Sequence, residues 1–408
     1  MPKLPPGFFG EGPAREVAPG TYFVPSFANA AALATVDGLV LVDCGLAQMG
    51  PGILGKLREL TNLPVAAVIF THGHVDHAFG VVAIDEEAER AGRARPKRYA
   101  HRKVSSRFSR YERTRGLNEH INRVQFGLDH VRWPASFPWP DVVYDETLEL
   151  CVGGERFELR HALGETDDAT WVWAPERRVV LTGDLFIWCT PNCGNPQKVQ
   201  RYPDGWADAL EAMLALEPEV LLPGHGEPIV GRAAVADALG DTARWLRSLV
   251  DQTLERLNRG ERAEAIAAAV KPPADLADRP YLQPLYDRPE FVVRNVLRLY
   301  GGWWNGNPAD LLPAPEAARA SEIALLAGGV APLCARAREL ATTDPALASH
   351  LLDWARLAAP GDRAVLELQR DVYRARADAE PSLMARNIFE SAIRAAEDGL
   401  RAMDRGND

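Results

Sequence analysis

The 408-residue chain is 47% hydrophobic and 25% charged, and its formal net charge is -10. This composition is typical of a soluble globular protein long enough for two domains, and the acidic balance argues against a nucleic-acid-binding surface. No run approaches the roughly 18 apolar residues of a membrane span, and residues 1–20 are too polar and too rich in Pro and Gly for a signal sequence. We therefore expect a cytoplasmic protein with no membrane or nucleic-acid partner, whose five scattered cysteines are reduced.

Short strand-like runs alternate with turns and helical stretches from about Gly20 to Ile229. Thr21 to Val24 and Leu39 to Val42 are early examples, because β-branched and aromatic residues favour strands. Ala66 to Phe70 is an apolar run of the kind that a buried strand shows. The alternation predicts an α/β fold, in which the side chains that do chemistry usually lie at the C-terminal ends of strands.

The segment that follows the third run, residues 71–77 (THGHVDH), holds three of the nine histidines of the chain. His72 and His74 flank a glycine, so both imidazoles can reach one metal ion, while Asp76 and His77 can face a second ion nearby. Imidazole and carboxylate ligands together suit zinc first, with iron or manganese as alternatives. The density of ligands in this segment therefore predicts a metal site.

Three later strand-like runs each lead into further candidate ligands. The runs are Phe157 to Leu159, Val179 to Leu181 and Val220 to Leu222. The candidate ligands that follow them are His161, Glu165, Asp184 and His225. The segment from Trp206 to Leu216 has apolar residues at helical spacing, which predicts a helix packed on a sheet.

The pattern HxHxDH, formed by His72, His74, Asp76 and His77, resembles the signature of the metallo-β-lactamase superfamily. The resemblance implies an αββα sandwich with two metal ions. It further implies that Asp184 is the bridging carboxylate, that His225 is the last ligand of the second ion, and that Asp43 supports the motif from behind.

Glu165 departs from the usual pattern, because most superfamily members carry a metal-binding histidine at this position. A glutamate here resembles the alkylsulfatase branch. The alternative is that His161 binds the first ion and Glu165 only positions it. Asp168 has no counterpart in the alkylsulfatase pattern, and we consider it, together with Asp43 and His161, as a candidate support behind the ligands.

After about Gly231 the strand-like runs end and helical spacing dominates, as in Asp241 to Asn258. Residues 301–308 (GGWWNGNP) and the helical pairs after them resemble the dimerisation domain of alkylsulfatases. We therefore expect a catalytic domain over residues 1–231, an all-helical domain over 232–408, and a homodimer formed through the latter. The sterol-carrier-like domain of larger family members is expected to be absent.

The resemblance implies a hydrolase in which two divalent ions activate a water to hydroxide, which attacks an ester, with Asp76 and Asp184 taking part in catalysis. The segment after Asp184 is rich in cationic and amide side chains, which suits an anionic small-molecule substrate. The candidate substrate-binding residues there are Asn192, Gln197, Lys198 and Arg201. A sulfate ester of a small organic alcohol is the substrate expected first. The alternatives are a carboxylic ester, lactone, thioester or phosphoester, or, from another class, an iron-dependent oxygenase or a non-catalytic metal-binding module.

Overall fold

The computed structural model describes residues 10–405. Residues 1–9, part of the segment that the sequence predicts not to be a signal, and residues 406–408 lie outside the described range. The described residues form two compact units, one of residues 10–116 and 133–302 and the other of residues 117–132 and 303–405. We call them the sheet unit and the helical unit.

The first sheet of the sheet unit has seven strands in chain order. Its first three strand pairs are antiparallel and its last three are parallel. The strands are β1 (Arg15–Ala18), β2 (Thr21–Val24), β3 (Ala30–Thr35), β4 (Gly38–Val42), β5 (Val65–Ile69), β6 (Lys97–His101) and β7 (Val142–Tyr144).

The second sheet has six strands, also in chain order, and only its fourth and fifth strands are parallel. The strands are β8 (Thr147–Val152), β9 (Glu155–Ala162), β10 (Ala169–Ala174), β11 (Val179–Ile187), β12 (Val220–His225) and β13 (Ile229–Val230).

Nine α-helices lie between or after these strands within residues 10–302. They are α1 (Gly50–Arg58), α2 (Val75–Ala78), α3 (Val81–Arg90), α4 (Lys103–Arg113), α5 (Arg115–Phe126), α6 (Pro203–Leu214), α7 (Arg232–Asn258), α8 (Ala263–Ala269) and α9 (Pro289–Gly301). Pro203 and Pro289 stand at the first positions of α6 and α9, where the missing N–H of proline costs nothing.

The two sheets pack face to face through one apolar core. Phe23, Leu33 and Val40 of the first sheet and Phe157 and Leu159 of the second are fully buried in it. Each such side chain contributes roughly 1.5–3 kcal/mol by leaving water, so this layer fixes the strand ends that carry the site.

Helices cover the outer face of each sheet. On the first sheet a buried core includes Ile53, Leu57 and Phe108 of α1 and α4. On the second sheet Trp206 and Trp245, from α6 and α7, belong to a separate buried core. The layers are thus helix, sheet, sheet and helix, and the predicted αββα sandwich is confirmed.

The helical unit contains five further α-helices after residue 303. They are α10 (Glu316–Leu326), α11 (Val330–Leu340), α12 (Pro345–Ala358), α13 (Arg363–Ala379) and α14 (Leu383–Arg405). Leu333, Leu352, Val365, Leu368 and Val372 belong to their shared core. This part is all-helical, as the sequence predicts. Within residues 10–405 no single helix is long and apolar enough to cross a membrane. The bent pair of α10 and α11 together has the length and composition of a span, and no other observation supports a membrane span there.

The sequence predicts a domain boundary at residue 231, whereas the sheet unit continues to residue 302. Helices α7 to α9 belong to the sheet unit, because Leu246 and Leu249 of α7 share the outer core of the second sheet with Leu210 of α6. The division into residues 1–231 and 232–408 stays a prediction.

Candidate metal centre

The HxHxDH segment leaves the end of β5 and turns into the short helix α2. Thr71 is the first residue of this turn, and its N–H and hydroxyl both donate to the Asp43 carboxylate, at 2.8 Å and 2.6 Å. Asp43 itself adopts a left-handed conformation at the end of β4, with φ of 57°. A strained residue held by two hydrogen bonds in this way fixes the start of the motif.

The ligand-type side chains gather in two groups. Within each group one donor atom per residue lies within 4.8 Å of the others. The first cluster consists of His72, His74, Glu165 and Asp184, and the second cluster consists of Asp76, His77 and His225.

Asp184 lies between the two clusters. Its Oδ2 is 3.7 Å from Nε2 of His72 in the first cluster. Its Oδ1 is 3.2 Å from Nε2 of His77 and 3.5 Å from Nε2 of His225 in the second. Each carboxylate oxygen therefore faces one cluster, which is the arrangement that a bridging ligand requires.

The imidazoles of the second cluster are oriented by hydrogen bonds on their far side. Nδ1 of His77 donates to Asp43 at 2.7 Å, and Nδ1 of His225 donates to the carbonyl of Phe27 at 2.5 Å. Both rings therefore present Nε2 to the cluster, and such partners are typical of metal-binding histidines.

Several atoms that face the clusters are buried without a partner. Among the described residues, Nε2 of His77, Oε2 of Glu165 and Oδ1 of Asp184 have no hydrogen-bond partner. Burial of unsatisfied polar atoms is costly, and one cation in each cluster would satisfy these atoms. The residues present thus fit the divalent metal ions that the fold implies.

Burial also sets the charge of the first cluster. It lowers the pKa of His72 to about 3, with the neighbouring His77 acting in the same direction, and it lowers the pKa of His74 as well. Burial raises the pKa of Glu165 to about 8, against the opposing effect of Arg201, and a cation in the cluster would lower this pKa and hold Glu165 as a carboxylate. The imidazoles are therefore neutral, which is the form that binds metals.

Glu165, rather than His161, lies in the first cluster. The His161 ring stacks on His101, with centroids 3.7 Å apart, and its Nε2 is 3.0 Å from the carbonyl oxygen of Asp167. His161 thus supports the loop that carries Glu165 and does not reach the cluster.

Two of the four predicted substrate-binding residues contact Glu165. Asn192 donates to its Oε1 at 2.6 Å, and Arg201 forms a buried ion pair with the same oxygen. This leaves Oε2 of Glu165 for the cluster. Gln197 and Lys198 are half-buried on the same loop, and their contact with a substrate stays a prediction.

Asp168 supports the HxHxDH segment directly. Its Oδ2 accepts from the N–H of Gly73 at 3.2 Å and from Nε of Arg107 at 2.6 Å. Arg107, which is only 3% exposed, was missed in the sequence because it is one of three arginines in α4 and nothing in its spacing distinguishes it. Thr71 and Phe27 were missed as well, since a hydroxyl or backbone partner of a histidine leaves no sequence pattern.

Two family models match the sequence, and they lie one after the other. Residues 24–225 match the metallo-beta-lactamase superfamily, and residues 262–399 match the alkyl sulfatase dimerisation family. The first range contains all seven residues of the two clusters.

Curated relatives carry the alkylsulfatase description. A linear primary-alkylsulfatase of Pseudomonas sp. (strain ATCC 19151) is 28% identical over 315 residues, which are 72% of this chain and 59% of the relative. An (R)-specific secondary-alkylsulfatase of Pseudomonas sp. is 27% identical over 74% of this chain and 50% of its own length. An alkyl/aryl-sulfatase of Saccharomyces cerevisiae is 26% identical over 69% of this chain and 47% of its own length. The chain spans about half the length of the curated relatives it matches.

A solved structure has the same fold. The stereoselective inverting sec-alkylsulfatase Pisa1 from Pseudomonas sp. superposes with a TM-score of 0.85 at 24% identity, over 94% of this chain and 65% of that one. The two matched ranges together show that the chain contains a metallo-beta-lactamase domain followed by an alkylsulfatase-type dimerisation domain.

Proposed function

We propose that the protein is a dinuclear metal-dependent hydrolase that cleaves the sulfate ester of a small organic alcohol. The observation that carries the proposal is the pair of adjoining clusters joined by Asp184, with Glu165 in the first of them. The alkylsulfatase descriptions of the relatives favour a sulfate ester over the other esters.

The donors of the two clusters would hold one divalent cation each, with Asp184 shared. Zn²⁺ is the ion we propose, because imidazole nitrogen and carboxylate oxygen are its usual ligands, and Fe and Mn are the alternatives. When bound, such ions supply a water that ionises near neutral pH and positive charge beside the leaving oxygen.

Asp76 is the residue that we propose to orient the attacking water. Its carboxylate is half-buried, and its Oδ2 is 3.7 Å from Nε2 of His225 and 3.9 Å from Nε2 of His77. A carboxylate so placed accepts a hydrogen bond from a water at the second cluster, which directs the lone pair of that water toward the substrate.

Lys198 and Gln197 are the donors that we propose for the sulfate group. Burial and the nearby Arg201 lower the pKa of Lys198 to about 8, so this side chain is still mostly protonated at pH 7. The Lys198 ammonium therefore offers a positive charge to an anionic ester in a partly dehydrated site.

The proposal is tested by measuring sulfate release by the full chain loaded with Zn²⁺. The substrates are primary and secondary alkyl sulfates of increasing chain length. We expect release that chelation stops and Zn²⁺ restores. A folded His74→Ala variant should release no sulfate, whereas His130→Ala, at an exposed histidine, should retain full activity.

Three results would overturn the proposal. If the His74→Ala variant contained no metal and kept full activity, the assignment as a metal-dependent hydrolase would be wrong. Cleavage of carboxylic esters, lactones, thioesters or phosphoesters without any sulfate release would show that the substrate is not a sulfate ester. Oxygen uptake by an iron-loaded protein would show that the protein is an oxygenase and not a hydrolase.

A further inference from the structure

The loop between β11 and α6, residues 188–202, supplies both side chains that hold Glu165, and we call it the anchor loop. Asn192 and Arg201 both contact Oε1 of Glu165, and Arg201 also donates to the carbonyl of Asn192. The three side chains are at most 7% exposed. The position of Glu165 therefore depends on the position of this loop.

Asn295 of α9 holds the end of the anchor loop. Its Nδ2 donates to the carbonyl of Arg201 at 2.8 Å, and its Oδ1 accepts from Nε2 of Gln200 at 3.0 Å. Arg298, one turn later, donates to Oε1 of Gln200 at 2.9 Å and to Oδ1 of Asn295 at 3.0 Å. One buried amide thus fixes the backbone of Arg201.

Asp287 holds the middle of the anchor loop just before α9 begins. Its carboxylate is fully buried and accepts from the N–H of Gly194 at 2.5 Å and from the N–H of Arg288 at 2.7 Å. Gly194 also lies directly against α9, since a Cβ there would be 2.2 Å from backbone atoms of Phe291 and Val292. The loop is therefore docked on the start of this helix.

We propose that Asp287 and Asn295 are positioning residues of the first cluster, which set the geometry of Glu165 through the anchor loop. The inference rests on the proposed function, because it assigns a metal to that cluster. Both residues lie in the range matched by the dimerisation family and outside the range matched by the metallo-β-lactamase superfamily. The start of the dimerisation range then takes part in building the catalytic site.

The physical reason lies in the ligand itself. A glutamate has more rotatable bonds than a histidine, so it needs a partner that fixes one carboxylate oxygen and leaves the other to the ion. The second cluster is held differently, by Asp43 and the carbonyl of Phe27. Loss of Asp287 or Asn295 should consequently weaken the first site and leave the second unchanged.

The test is a Zn²⁺ titration of the full chain in competition with a chromophoric chelator, which yields two dissociation constants. The variants His74→Ala and His77→Ala assign these constants to the first and second clusters. We expect Asn295→Ala and Asp287→Asn to weaken the first site by about 10- to 100-fold. The matched control is Arg294→Ala, which removes an exposed ion pair with Glu264 on the outer face of α9.

The outcomes separate this inference from the proposed function. Two Zn²⁺ ions in the wild type, with a loss confined to the first site in both variants, would support the inference. Two ions with unchanged affinities, or with equal losses at both sites, would overturn it alone. A wild type that binds no divalent metal would overturn the proposed function and the inference together. Circular dichroism of each variant shows whether it is folded. If Asn295→Ala does not fold, Asp287→Asn, which keeps the shape of the side chain, still tests the inference.

Discussion

Glu165 and Arg201 form an ion pair at the base of the first cluster, with both side chains about 4% exposed. Removing one partner of such a pair leaves the other as an uncompensated buried charge, which is strongly unfavourable. Replacement of the usual histidine by glutamate in this superfamily fold therefore needs a partner cation, and Arg201 supplies it. The negative charge of Glu165 is shared between Arg201 and the metal that we propose.

Glu165→Gln tests the role of that charge. The variant keeps the shape of the side chain but offers only a neutral oxygen to the ion, so we expect the affinity of the first site for Zn²⁺ to fall by at least about 100-fold. Sulfate release should fall with it. The measurement is chelator competition, and Glu149→Gln, at an exposed position on β8, should change neither quantity. A Glu165→Gln protein with two ions of unchanged affinity would contradict the assignment.

Gly224→Ala tests the close approach of β12 to the bridging carboxylate. A Cβ at residue 224 would lie 2.1 Å from Oδ1 of Asp184, so the carboxylate must move. We expect both metal sites to weaken, with a loss of about 1–3 kcal/mol in the free energy of unfolding. The control is Gly52→Ala in α1, where nothing lies within 4 Å of the added atom and stability should rise slightly. Normal metal binding by Gly224→Ala would mean that Asp184 does not bridge.

The seven cluster residues were all accessible from the sequence, because a dense HxHxDH segment and later strand ends mark them. Most of the residues that orient them were not accessible from the sequence, and Asp43, His161 and Asp168 are the exceptions. Asp287 contacts a residue 93 positions earlier in the chain, and Arg107 contacts Asp168 61 positions later. Hydrogen bonds at such separations exist only once the sheets and helices are assembled.

At the scale of elements, β11 differs from the expected strand. The sequence predicts a strand that ends before Asp184, whereas β11 continues to Ile187. Its pairing with β12 shifts on either side of Gly183, which has a φ of 50°. Asp184 lies within this irregular stretch, and alternation of residue types cannot reveal the irregularity because every residue of β11 is buried.

Helix α7 is also longer than expected. The sequence predicts a helix over Asp241 to Asn258, and the helix begins at Arg232, directly after Gly231 with its φ of 108°. Gly240 hides this continuity in the sequence, yet a Cβ there would meet only Leu214, at 3.8 Å. A glycine inside a helix costs about 1 kcal/mol, and the packing of α7 on the second sheet offsets it.

Helix α4 supports the HxHxDH segment through Arg107, and Arg107→Ala tests this support. The variant leaves Asp168, which is fully buried, without its guanidinium partner. We therefore expect the free energy of unfolding, measured in urea, to fall by about 3–5 kcal/mol. The control is Arg102→Ala, whose ion pair with Asp145 is more than 60% exposed on both sides and should contribute less than about 1 kcal/mol. Equal effects of the two substitutions would show that Arg107 is not a structural support.

At the scale of the whole molecule, we predict a homodimer formed through the helical unit. Leu312, Leu325 and Leu326 of this unit are 91%, 72% and 86% exposed, which suits an interface better than a free surface. Light scattering should give twice the chain mass of 44.7 kDa. Leu325→Glu combined with Leu326→Glu should halve the measured mass, whereas Val36→Glu on the sheet unit should not. A monomer mass for the wild type would contradict the prediction, and the cytoplasmic location likewise stays a prediction.

The central claim is that two divalent ions occupy two clusters that share Asp184. Anomalous diffraction from a crystal of the Zn²⁺-loaded protein tests it most directly. We predict two peaks, one in contact with His72, His74 and Glu165 and the other with Asp76, His77 and His225, and both in contact with Asp184. A peak bound by His161 with Glu165 turned away, a single peak, or no peak at either cluster would contradict the claim.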